Sequence, residues 1–134
     1  MAKATGIGGV FFRANDITAT AQWYERCLGL DVSTWEGGAF SQFNWREADD
    51  PEAKGYTIWS PFNQSTKYFD PGGADFMVNF RVDDLDAVLE HLRAQNVEIV
   101  GDIQTEPYGR FAWIIDLDGR KVELWEPADD DPAK

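Results

Sequence analysis

Glu123 stands in the run KVELWEP, two residues from Lys121 on one side and Trp125 on the other. A carboxyl set among rings is a general-base candidate, because desolvation raises its pKa toward the operating pH. The plainer role is an ion pair with Arg81 or Arg13, which satisfies a buried charge and still leaves the carboxylate able to touch a ligand. Arg13 follows Phe11 in VFFRA, and Arg81 follows Asn79 in VNFRV. At that spacing each arginine shares a strand face with its neighbour. Inward arginines suit a carboxylate or phosphate rather than a cation, and beside Glu123 they would steady an oxyanion. The single His91 falls at the edge of a helical apolar stripe and reads as solvated. Cys27 reads as a packed helix residue with no basic cluster near it in sequence.

The composition narrows the classes. The 134 residues carry 12 Lys plus Arg against 24 Asp plus Glu, a formal charge of −12, which opposes nucleic acid and anionic membrane surfaces. The longest apolar run, Phe111 to Ile115, is too short to span a bilayer, and MAKATGIGG has no signal-like core, so the expected location is cytoplasmic. One Cys and one His rule out the common zinc arrangements and an intrachain disulfide. Six Trp, nine Phe and four Tyr are more rings than a core of this size needs.

The elements that position these residues come as a repeat. FFRANDITATAQWYERCLGLDV from Phe11 matches NFRVDDLDAVLEHLRAQNVEIV from Asn79 at an offset of 68, pairing Phe12 with Phe80, Arg13 with Arg81 and Asp16 with Asp84. YTIWSP from Tyr56 matches VELWEP at an offset of 66, pairing Trp59 with Trp125. Each half reads as a strand, a helix and three strands, giving an α+β fold of tandem βαβββ modules. The expected helices start behind Asp16 and Asp84, and the first runs from Ile17 to Leu28 with Gly29 ending it. Leu85, Val88, Leu89 and Leu92 give the second its buried stripe. Strands are expected near 31–36, 39–46 and 55–60, then 98–104, 110–117 and 120–126, the last pair joined by the Asp118-Gly119 turn. The modules cover 7–61 and 76–127, within a single domain over 1–134. A linker, 62–75, either edges a pocket through Asn63, Thr66, Lys67 and Tyr68 or is a plain surface connection. A polar tail, 128–134, is expected to be disordered.

This repeat, the helix ending CLGLDV, and the close YGRFAWIIDLDGRKVELWEP together resemble the vicinal oxygen chelate superfamily, the glyoxalases, bleomycin-resistance proteins and extradiol dioxygenases. The resemblance implies a cupped, mostly antiparallel sheet with helices outside, a ligand in the cup, and a homodimer. Where the family holds a metal, register carries the four ligand positions onto Gly9, Thr57, Met77 and Glu123, of which only Glu123 is competent. A divalent ion at Glu123 is therefore disfavoured, no cofactor is expected, and metal-dependent isomerisation or ring cleavage in its usual form is argued against.

Strand alternation from those positions puts Phe11, Arg13, Thr57, Trp59, Met77, Asn79, Arg81, Lys121, Glu123 and Trp125 on the cup face, with Tyr108 and Arg110 at its rim. The opposite parity, Val10, Phe12, Ile58, Val78, Phe80, Val82, Val122 and Leu124, is apolar and belongs under the helices. An aromatic cup with a few polar points reads as a site for a small molecule, and the charge opposes nucleic-acid and membrane partners. The expected function is binding of a small, aromatic-containing ligand without metal. The alternative is a metal-independent lyase or isomerase with Glu123 as general base.

Overall fold

Each half of the repeat opens on a strand, and one aspartate turns that strand into a helix. Asp16 and Asp84 have extended backbones, and their side chains accept from the amides of Ala19 and Ala87 three residues on. Those bonds satisfy amide groups that a helix start leaves without partners. In the computed structural model, which describes residues 2–129, the order is β1 (Ala4–Ala14), α1 (Ile17–Leu28), β2 (Ser33–Trp35), β3 (Gly38–Arg46), β4 (Lys54–Asn63), β5 (Phe76–Val82), α2 (Leu85–Ala94), β6 (Gln104–Glu106), β7 (Gly109–Ile115) and β8 (Lys121–Pro127). Gly29 ends α1 in the left-handed conformation, φ 71°, which costs a glycine nothing.

The strands make one sheet in the order β2-β3-β4-β1-β5-β8-β7-β6. At its centre β1 and β5 run antiparallel, joining the two modules, and each has its own module's last strand as a parallel neighbour. The outer pairs are antiparallel hairpins. In β1 the ladder pairs Ile7 with Phe80 and Gly9 with Asn79, leaving Gly8 as the extra residue of a bulge. The β7–β8 turn is locked by Asp116, whose carboxylate accepts from the amides of Asp118 and Arg120 while Gly119 takes φ 86°.

One face of module two's sheet packs on α2, where Leu85 and Leu89 meet Val82, Ala112 and Leu124. On module one, Trp59 packs against Tyr24 of α1 and Phe12 of β1. The other face of the sheet is concave. Its apolar cluster is Phe69, Met77 and Trp113, with Phe11, Phe62 and Phe111 around it.

Two local expectations change. The strand expected at 98–104 is mostly irregular, with an isolated bridge from Ile99 to Ile114, because Gly101 turns left-handed at φ 72° and interrupts it. Cys27 is exposed rather than packed. It lies six positions beyond Ala21, the buried residue of α1, and that spacing carries it round to the solvent side. Of the expected tail, residues 130–134 lie outside the described residues.

These packing roles set a stability order that urea denaturation can check. Leu89→Ala, at a fully buried position, is expected to cost about 2–5 kcal/mol. Asp84→Ala removes only the cap and is expected to cost about 1 kcal/mol.

Candidate functional site

The cup encloses a cavity of about 670 Å³, within the range that takes a drug-sized molecule. Its walls come from both modules of the one chain. β1 contributes Gly8 and Phe11; β4 contributes Tyr56, Ile58, Ser60 and Phe62; β7 contributes Phe111 and Trp113; β5 and β8 contribute Asn79, Glu123 and Trp125. Trp35, Phe40, Tyr68 and Tyr108 bring the rings to ten. Phe111 and Trp125 lie parallel, 5.9 Å between centroids, and Phe62 stacks on Tyr68 at 5.6 Å.

Glu123 is only 3% exposed, and three neutral donors solvate its carboxylate. Asn79 Nδ2 donates to Oε1 at 2.7 Å, Trp113 Nε1 donates to Oε2 at 2.8 Å, and the Tyr68 hydroxyl donates to Oε2 as well. Two of the donors follow from the register. Asn79 is Glu123's partner on β5, and Trp113 faces it across the β7–β8 hairpin. Tyr68 arrives from the linker. Burial, then the nearby Glu123 carboxylate, push the Tyr68 phenol far above its ordinary value of 10.0. Lys121, on the same strand face, donates to the Tyr68 carbonyl at 2.7 Å and lies over the rings of Tyr68 and Trp113. Burial lowers its pKa from 10.5, with Glu123 and Asp70 acting in the other direction.

The strand alternation places Phe11, Asn79, Glu123 and Trp125 on the cavity as expected, with Tyr108 at its mouth. Other positions differ. Thr57 and Trp59 face away from the cup: the Thr57 hydroxyl donates to the Ile7 carbonyl and accepts from Trp45 Nε1, while Trp59 is under α1. Ile58, expected under a helix, lines the cavity. The cause is the match of Trp59 with Trp125. β1 pairs Phe11 with Ser60, β5 pairs Asn79 with Glu123, and Phe11 and Asn79 are counterparts in the repeat. Ser60 is therefore the true counterpart of Glu123, an odd shift that inverts the parity of β4.

Arg13 does not enter the cavity. It holds the linker, donating to the carbonyls of Thr66 and Ala74 and to Asp75, and lying 5.1 Å from the Phe69 ring centroid. Arg81 shares the face of Asn79 but is buried among the rings of Trp45, Tyr56 and Trp125, at 5.1, 5.8 and 5.4 Å, behind the cavity lining. Arg110 alternates to the helix side of β7. There it makes a two-pronged pair with Asp86 of α2 and approaches Glu126 at 3.7 Å. Met77 is on the concave face but fully covered, packed with Phe69 and Trp113. His91 is exposed on α2, as expected.

The residues that sequence reasoning passed over include Phe111 and Trp113. The signal was present, since the short Asp116–Gly119 turn fixes which β7 side chains oppose Trp125 and Glu123. Of the linker residues expected to edge a pocket, Tyr68 does so.

The donor set does not fit the divalent ion that the family resemblance implies. Among the described residues no three His, Cys, Asp or Glu side chains converge. Glu123 is already hydrogen-bonded on both oxygens, and the Ser60 hydroxyl at its counterpart position donates to the Ala39 carbonyl at 2.6 Å.

The tandem modules and the shared cup define a superfamily fold. A family model described as the Glyoxalase/Bleomycin resistance protein/Dioxygenase superfamily matches residues 6–124, and the chain belongs to that superfamily. No curated protein matches it. Among solved structures it is similar to a methylmalonyl-CoA epimerase from Mycobacterium tuberculosis, 25% identical, with 98% of this chain and 93% of that one covered and a TM-score of 0.60. A methylmalonyl-CoA epimerase from Streptomyces coelicolor is 17% identical over 94% of this chain and 99% of that one, TM-score 0.67. A Legionella pneumophila chain described as an NAD-dependent benzaldehyde dehydrogenase is 11% identical over 90% and 98%, TM-score 0.59. At such identities the last two establish the fold alone.

The raised phenol of Tyr68 gives a pH dependence with a definite sign. Above pH ~10 the unfolded chain loses the phenolic proton while the folded chain keeps it, so stability falls as pH rises from there. Tyr68→Phe is expected to reduce that alkaline loss, seen as a smaller drop in Tm between pH 9 and 11 than in the wild type.

Proposed function

We propose that this protein is a binding member of its superfamily, one that holds a small, aromatic-containing molecule in the cup without a metal ion. The observation that carries this is the cavity itself: ten rings around a volume of about 670 Å³, with one buried carboxylate at the floor. Ring–ring contacts are each worth about 0.5–1.5 kcal/mol beyond the area they bury, so a planar ligand gains from several walls at once. The cup draws both its halves from one chain, so a homodimer of the kind family membership suggests would not be needed to complete it.

Binding is favoured over catalysis by the state of Glu123. Three of the carboxylate's about four lone-pair sites are engaged by protein donors, so most of its acceptor capacity is committed inside the protein. A lyase or isomerase would need that same group free to take a proton from substrate. The likeness to methylmalonyl-CoA epimerases supports a small-molecule cup in general. The mismatch of the donor set to a divalent ion supports the metal-free reading.

A thermal-shift screen of planar aromatic metabolites and drugs tests this. A ligand at one hundred times its Kd is expected to stabilise the fold by about 2.7 kcal/mol. Phe111→Ala, which removes one stacking wall, is expected to weaken that ligand about tenfold. Hits whose affinity ignores Phe111→Ala would count against the cup. Turnover of a hit that Glu123→Gln abolishes, while binding persists, would move the reading to the lyase or isomerase.

A further inference from the structure

The polar groups around the cavity are unevenly committed. Five of their donors are turned into the protein: Ser60 Oγ on the Ala39 carbonyl, Tyr68 Oη, Asn79 Nδ2 and Trp113 Nε1 on Glu123, and Trp125 Nε1 on the Tyr108 carbonyl. Acceptors remain. A carboxylate offers about four lone-pair sites, and three at Glu123 are taken. Asn79 Oδ1, on a side chain 2% exposed, has no hydrogen-bond partner. Its orientation is fixed by chemistry, since only the amide NH₂ can face a carboxylate. A Cβ at Gly8 would run into this oxygen, and both Gly8 and Asn79 line the cavity.

Charge follows the same pattern. The lining contains Glu123 at the floor and Glu106 at the mouth, and among the described residues no Lys, Arg or His lines it. Arg13 is turned into the linker, Arg81 lies behind the rings of Tyr56 and Trp125, and Lys121 reaches the Tyr68 carbonyl. This reverses the expectation, drawn from two inward arginines, of a carboxylate or phosphate ligand.

Resting on the binding reading above, we infer that the ligand is an organic cation: a protonated amine or amidinium on an aromatic body. Its N–H groups meet the remaining acceptor capacity of Glu123 and the orphan oxygen of Asn79, and its rings and charge meet the aromatic walls. An N–H⁺ group makes charge-assisted hydrogen bonds to carboxylate, about twice as strong as neutral ones. Ring faces attract cations further. An anion would meet two carboxylates and, among the described residues, no Lys, Arg or His in the lining, a desolvation cost with little return.

Three probes of one shape and different charge decide this: 1-naphthylmethylammonium, 1-naphthylmethanol and 1-naphthoate, titrated into the intact wild-type chain by calorimetry at constant salt. The ammonium is expected to bind about tenfold or more tighter than the alcohol, and the naphthoate weakest. In Glu123→Gln the preference for ammonium over alcohol is expected to shrink to about threefold or less. The wild-type series stands by itself if that variant fails to fold. Alcohol or naphthoate binding as tightly as the ammonium would overturn the cationic ligand while leaving the cup as a binding site. Binding by none of the three would overturn both.

Discussion

A carboxylate on a central strand, turned away from solvent into a cup of rings, has a large free-energy cost unless the protein supplies the dipoles that water would have given. Glu123 is in that position, and much of the concave face is arranged around meeting the cost. The donors come from separate parts of the chain: Asn79 across a parallel ladder, Trp113 across a tight hairpin, and Tyr68 from the connection between modules. None of the three serves without the elements that carry it. The linker is drawn over the cup because its tyrosine completes this shell. It is held there from the other side by Arg13, which binds its carbonyls at both ends, at Thr66 and at Ala74.

The sheet follows from simpler rules. Two aspartates cap two helices, the apolar parity of β5 and β8 is buried by α2, and the central antiparallel pair of β1 and β5 joins the modules. The superfamily assignment rests on this framework. Function rests on the few residues inside it, since chains of the same fold carry quite different names.

How far the sequence could be read depended on which residues were set by local chemistry. The helix over 17–28, its Asp16 cap and its Gly29 end are local, and they were legible. So was the face of β1, β5 and β8, because an offset of 68 is repeated across many positions and a wrong register would bury charge. β4 was misread because Trp59 and Trp125 look alike in sequence but serve opposite faces, one under α1 and one in the cup. Only the ladder partners Ser60 and Phe11 reveal the shift. The arginines were misread for a different reason. Alternation gives the face of a side chain but not its reach, and a long guanidinium goes to whatever carbonyls or rings fold near it. Tyr68 stood between a pocket edge and a plain surface connection, and its bond to Glu123 depends on a linker path that has no periodicity to read.

The correspondence of Ser60 with Glu123 makes the cup directional. Two modules related by an approximate two-fold would present the same chemistry at each end, and a ligand lying between them would have two equivalent poses. Here one pole holds a small hydroxyl already turned back to the Ala39 carbonyl, and the other holds a negative charge. Gly8, the extra residue of the β1 bulge, adds to the inequality by letting Asn79 Oδ1 sit where a Cβ would collide with it. The repeat makes the two halves of the vessel alike in outline, and the hydroxyl at one pole against the charge at the other makes them unlike in chemistry, so that it has a head and a tail.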